Sequence, residues 1–278
     1  MNKIRVFAKN HEILYGIVIE VFLLSFLFLE ANIISHVAPK GNYYVSLSIQ
    51  EAISAILACG LLQISGLRIV LQNRGCGFWN GLIVGMYLLV ISFLSIVLYV
   101  SFYTGKRELQ DWYMICIYIA CMLCVGITEE FVFRGIIATL LLKKFGSGSV
   151  GIWIAIIFSG ILFGVAHISN IFAASPMGVF VQAAIAAMLG MLLTAIYFRT
   201  GCIWVTVVLH ALVDIAAAIT TGLYGNGTMA DTVSSYKPNM LLSCGVYLIV
   251  LLVLLRKSKI DEIKENMSPI LEELMEDL

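Results

Sequence analysis

The chain is 278 residues long, 61% hydrophobic and only 12% charged, with a formal net charge of zero. A soluble protein carries about a quarter charged residues, so this composition excludes an ordinary soluble domain, and zero net charge offers nucleic acid no electrostatic footprint. What remains is an all-α, polytopic membrane helix bundle, because several stretches reach the ~20 apolar residues needed to cross a ~30 Å hydrocarbon layer.

The N-terminal segment MNKIRVFAKNHE is basic and then hydrophobic. A signal peptide is the competing reading, but the apolar run passes Glu20 with no small-residue cleavage pattern before Glu30. It is read as a retained first span. Hydrophobic patterning then predicts eight spans, at 13–35, 43–64, 79–103, 112–142, 149–170, 177–198, 202–221 and 238–255, joined by short loops. Lys and Arg in the loops set the orientation. With the N-terminus in the cytosol, the inner set is Lys3, Arg5, Lys9, Arg68, Arg74, Lys143, Lys144, Arg199, Arg256, Lys257, Lys259 and Lys264, against an outer set of Lys40, Lys106, Arg107 and Lys237. This bias places both termini in the cytosol, as an even number of spans requires. The expected division is a bundle over 1–256, with its motif-bearing core at about 112–221, followed by an acidic amphipathic cytosolic tail over 257–278.

Glu20 and Glu51 come first among the charges inside spans, and neither has a cation in its own span. They read as protonated or interfacial packing residues, with a cavity lining or a mutual pair as the alternatives. Six of the seven cysteines, Cys59, Cys116, Cys121, Cys124, Cys202 and Cys244, sit in apolar runs without the spacing of a disulfide framework. Even the Cys121–Cys124 doublet reads as small buried hydrophobes rather than a redox or zinc site.

The fourth span carries GITEEFVFRG. Glu130 and Arg134 stand at i and i+4, so one helix face can hold them as an ion pair, which costs far less in a low-dielectric bundle than either charge alone. Glu129 is offset by about 100° and needs another partner: water, a proton, a histidine or a metal. A desolvated carboxylate of that kind suits a general base that activates water. In the fifth span Phe163 and His167 share a face at i and i+4, and in the seventh His210 and Asp214 do the same. A carboxylate beside an imidazole fixes its tautomer, which suits an acid, an oxyanion stabiliser or a metal ligand. Each pair alone reads as readily as a packing clasp. Together they bring Glu, His, His and Asp from three spans, the set expected for hydrolysis. H-E-x-x-H is absent, which excludes a thermolysin-like site, and the absence of G-x-S-x-G weakens a serine hydrolase.

In the tail, Ile260, Ile263, Met267, Ile270, Leu274 and Leu278 fall near helical spacing, and Ser268-Pro269 reads as a helix start. The expectation is a solvated acidic helix packed loosely on the protein.

The three motifs, E-E-x-x-x-R at Glu129, Glu130 and Arg134, F-x-x-x-H at Phe163 and His167, and H-x-x-x-D at His210 and Asp214, resemble in order and spacing those of the CPBP family of intramembrane proteases. This group holds the type II CAAX prenyl endopeptidases and bacteriocin-processing or self-immunity proteins. The resemblance covers roughly residues 112–221 and implies an intramembrane endopeptidase acting on a membrane-associated peptide or protein, a multi-pass cell-membrane location, and no nucleic-acid partner. It implies that Glu129 activates water held with His167, that His210 and Asp214 stabilise the oxyanion, and that Glu130, Arg134 and Phe163 give structural support. Asp214 departs from the Asn that many members carry, and an ionised Asp only accepts hydrogen bonds. The sequence leaves open a zinc shell of Glu129, His167, His210 and Asp214 or a metal-free glutamate mechanism. Two other functions stand beside the protease. One is a non-catalytic regulator or self-immunity protein on the same fold, with a regulatory membrane-protein partner. The other is a proton-coupled transporter, against which stands the lack of an inverted repeat.

Overall fold

A computed structural model describes residues 3–37, 43–73 and 75–276, and among these helix is the only extended regular structure. The order is α1 (Lys3–Asn10), α2 (Glu12–Val37), α3 (Tyr43–Ile64), α4 (Phe78–Val84), α5 (Met86–Phe102), α6 (Trp112–Glu130), α7 (Thr139–Phe145), α8 (Ser149–Ala166), α9 (Pro176–Thr200), α10 (Ile203–Ala217), α11 (Ile219–Tyr224), α12 (Met229–Ser234), α13 (Leu242–Leu254) and α14 (Ile260–Glu276). The expected cations Lys40 and Arg74, and Leu278 of the tail stripe, lie outside the described residues.

Five continuous runs are long and apolar enough to cross a bilayer: Glu12–His36, Tyr43–Ile64, Trp112–Phe145, Ser149–Phe172 and Pro176–Thr200. This makes the chain a multi-pass membrane helix bundle. The expected eight spans are corrected in three places. The third is bent by 72° between α4 and α5, at Gly85, where Leu209 of α10 packs so closely that a Cβ would come within 2.2 Å of its Cδ1. The seventh ends early: α10 stops at Ala217, next to the Ile215 carbonyl that accepts from the Tyr118 hydroxyl at 2.5 Å. Fifteen residues rise only about 22 Å, short of the hydrocarbon thickness. The eighth belongs to a pair, Pro238–Leu254 and Lys257–Leu274, bent by 62°, so the described residues hold five continuous spans, or up to seven if each bent pair counts as one.

Burial separates an outer from an inner layer. The apolar windows of α2 and α3 are 22% and 28% buried, against 44% for Trp112–Phe145, 50% for Ser149–Phe172 and 56% for α9. The outer helices turn large apolar side chains outward, such as Phe22 and Leu29 on α2 and Phe93 and Val97 on α5, as a surface solvated by lipid allows. The motif-bearing helices α6 and α8 therefore lie inside. Close contact between α8 and α9 rests on Gly160 and Gly164, a small-x-x-x-small ridge. A Cβ on Gly164 would stand 2.6 Å from the Ala183 carbonyl oxygen, and one on Gly160 2.7 Å from that of Ala187.

The tail differs from its expectation. α14 starts at Ile260 and carries Pro269 in its interior. Proline cannot bond the carbonyl four residues back. The Ser268 hydroxyl takes that carbonyl instead, donating to Glu265 O at 3.2 Å. Nor is the packing loose: Ile263, Met267, Ile270 and Leu274 are no more than 2% exposed and join the main core. Arg199 at the end of α9 pairs with Glu262 at 2.7 Å, and Asn266 Nδ2 donates to the Arg199 carbonyl at 2.6 Å. The acidic composition describes only the outer face of this helix.

Gly164→Leu forces α8 and α9 apart and should cost about 1–3 kcal/mol, read as a lower thermal midpoint in detergent. Gly60→Ala, where nothing lies within 4 Å of the added Cβ, should leave the midpoint unchanged or raise it slightly.

Candidate active site

The site begins with a change of helix type. α6 carries Glu129 and Glu130 at its end and then widens into a π-helix over Phe131–Ala138, every residue of which is buried, before α7 resumes. The wider turn disturbs the ordinary i→i−4 ladder, and nearby hydroxyls reach the backbone oxygens there. Thr139 Oγ1 donates to the Arg134 carbonyl at 2.9 Å, and Ser159 Oγ of α8 donates to the Phe133 carbonyl at 3.3 Å. Thr194 Oγ1 of α9 reaches the same Ser159 at 3.3 Å. Three helices thus anchor the irregular stretch.

Around it the charges sort themselves. Arg134 Nη1 lies 2.9 Å from Glu130 Oε1, and both side chains are 0% exposed. The same oxygen stands 2.7 Å from His210 Nδ1 on α10. Since Arg134 holds Glu130 as the anion, the imidazole Nδ1–H is the donor. The other ring nitrogen, Nε2, faces Glu129 Oε2 at 3.4 Å and Asp214 Oδ2 at 3.6 Å. Adjacent glutamates therefore take opposite nitrogens of one imidazole. That is where the offset of Glu129 leads: its partner is His210, not Arg134. The 3.6 Å contact is too long for a hydrogen bond but orients the Asp214 charge toward the ring.

Phe163 explains the aromatic in the second motif. The Arg134 guanidinium carbon sits 4.4 Å over its ring centroid, a cation–π contact worth about 2 kcal/mol when desolvated. The ring also meets His167 and His210 in T-shaped geometry, with centroids at 4.8 and 5.6 Å. His167 falls where α8 tightens into a 3₁₀ turn over His167–Phe172. Its Nδ1 lies 2.8 Å from the Phe163 carbonyl. A carbonyl only accepts, so Nδ1 carries the proton and Nε2 of the neutral ring is left as an acceptor.

These side chains open on one cavity of about 430 Å³, whose wall includes Glu129, His167, His210 and Asp214. Glu130 and Arg134 stand behind the wall as fully buried support. The cavity also takes in Glu51 of α3, for which sequence reasoning preferred a packing role. Its signal was there to use: a carboxylate in an apolar span with no cation beside it. Asn170 and Gln182, which share a 2.9 Å hydrogen bond on the same wall, carried no such signal. Glu20 is buried but does not line the cavity. All seven cysteines are free. Among the described residues no group of three or more His, Cys, Asp or Glu is arranged to hold a metal ion. His210 donates Nδ1–H to Glu130 and turns Nε2 toward Glu129 and Asp214, an orientation open to a hydrogen bond or to a ligand.

Residues 111–216 match the profile of the family described as type II CAAX prenyl endopeptidase Rce1-like. That stretch, less than half of the chain, holds all three motifs, and the match agrees with the resemblance to the CPBP intramembrane proteases. Comparison with curated proteins gave no match, and comparison with solved structures gave none either.

Removing one partner of a buried ion pair leaves the other uncompensated. Arg134→Met should therefore destabilise the protein by about 3–5 kcal/mol, seen as a large fall in thermal midpoint. Adding Glu130→Gln to the same chain should restore part of the loss. A double variant no more stable than the single one would show that the pair does not carry this energy.

Proposed function

We propose that this chain, whose core matches the type II CAAX prenyl endopeptidase family, hydrolyses a peptide bond of a membrane-associated peptide or protein by glutamate-activated water attack. One observation carries the reading: Glu129, His167, His210 and Asp214, drawn from three segments of sequence, line a single cavity within the bundle.

The roles follow from which atoms are already committed. Glu129 is partly exposed on the cavity wall, whereas Glu130 is held by Arg134 and His210. Of the two adjacent glutamates, Glu129 is the one free to take a proton from water as the water oxygen bonds to the scissile carbonyl carbon. His167, with its Nδ1–H on the Phe163 carbonyl, accepts the second water proton in a hydrogen bond at Nε2 and so orients the attack. His210 is fixed at Nδ1 by Glu130, and its Nε2, when protonated, donates to the oxyanion of the tetrahedral intermediate. Asp214 cannot donate as Asn would. Its carboxylate beside Nε2 instead holds the imidazole in register. Collapse of the intermediate breaks the C–N bond, and Glu129 returns the proton to the departing amine. With the shorter α10 counted beside the five continuous and two bent spans the number is even, and the Lys and Arg bias of the loops then supports both termini lying in the cytosol.

In purified protein given a cleavable membrane peptide, Glu129→Gln and His167→Ala should each lower turnover by about 10²–10⁴-fold with an unchanged thermal midpoint. Undiminished turnover in both would end this reading. For orientation, a C-terminal reporter active only outside the cytosol should stay silent.

A further inference from the structure

The cavity wall is unbalanced in charge. Three carboxylates face it, from Glu51, Glu129 and Asp214, and among the described residues its lining holds two imidazoles but neither Lys nor Arg. Two of the carboxylates have work in the mechanism above and lie against His210. Glu51 does not. It reaches the cavity from α3, and among the described residues it has neither a hydrogen bond nor an ion pair. It is near enough to Glu129 and Asp214 to interact with both electrostatically. The adjacent polar groups do not neutralise it: Gln50 turns its amide to the Leu27 carbonyl at 3.4 Å, and Ser54, one turn on, donates to Glu30 at 2.7 Å.

A carboxylate in a low-dielectric cavity costs several kcal/mol unless an opposite charge meets it. The described residues supply none at Glu51, while His210 is already enclosed by three other carboxylates. Glu51 is then left to a proton or to a partner that comes with the occupant of the cavity. A peptide that brings its scissile bond to Glu129 shares the cavity with Glu51. Lys and Arg carry long apolar stems that suit Leu23, Leu27 and Leu47 of the same lining.

We propose that Glu51 is a specificity-determining residue that selects substrates carrying a lysine or arginine side chain beside the scissile bond. The proposal rests on the endopeptidase reading for the word substrate, but the charge argument concerns binding and stands apart from turnover. The contact is ionic once an arriving cation displaces the proton of Glu51, whereas a merely polar contact to a peptide carbonyl would be met equally by glutamine.

The test uses the full-length protein in detergent and a matched set of membrane peptides with Lys, norleucine or Glu at each position flanking the cleavage site, with binding and cleavage measured separately. The wild type should bind the best-placed Lys peptide about 30-fold or more tighter than its norleucine partner. Glu51→Gln should erase that preference while binding the norleucine peptide as before, and Glu51→Lys should favour the Glu peptide. A Lys preference that survives Glu51→Gln overturns the proposal, as does its absence in the wild type. If the wild type cleaves nothing yet shows the Glu51-dependent binding preference, the protease reading falls and this one holds. If it cleaves every peptide alike, the reverse is true.

Discussion

A single carboxylate oxygen, Oε1 of Glu130, holds the centre of this protein together. It takes a guanidinium nitrogen of its own helix at 2.9 Å and an imidazole nitrogen of α10 at 2.7 Å, with no solvent exposure. In such a place a charge without partners could not persist, so α6 is obliged to meet α10 there. The guanidinium in turn needs a face to lie on, and Phe163 of α8 provides it. Three helices are brought to one point by the requirements of one ion pair, and the orientation of His210 follows from the same contact.

The departures from regular helix fall where this cluster touches the cavity. The π-helical turn after Glu130 and the 3₁₀ turn at His167 both leave the α ladder beside a proposed catalytic side chain. Each is supported by neighbours: hydroxyls of Ser159 and Thr139 on the carbonyls of the first, an imidazole N–H on the Phe163 carbonyl in the second. Irregular backbone at membrane depth is tolerable when it is buried in protein and its polar groups are met. Here that tolerance lets Glu129 and Glu130, neighbours in sequence, address opposite nitrogens of the same ring.

The periphery serves this core without sharing its chemistry. Lipid-facing α2 and α5 surround the motif helices, and α14 seals the end of α9 with a buried stripe from Ile263 to Leu274. The acid-rich face of α14 and its apolar face answer to different surroundings. An average over its residues describes neither.

The local contacts were legible in the residues themselves. Composition alone requires a membrane bundle, and three i, i+4 spacings place Glu130 beside Arg134, Phe163 beside His167 and His210 beside Asp214, because one helical turn brings such pairs to one face. Contacts between helices were not legible, since nothing local relates Glu130 to a histidine eighty positions on. Tertiary packing alone decided that Glu51 reaches the cavity from α3, that α8 changes pitch at His167, that Gly85 bends the third span and that Pro269 lies within a docked helix. The physical reason is range: side-chain spacing fixes what a single helix presents, whereas a cavity is the space left between several.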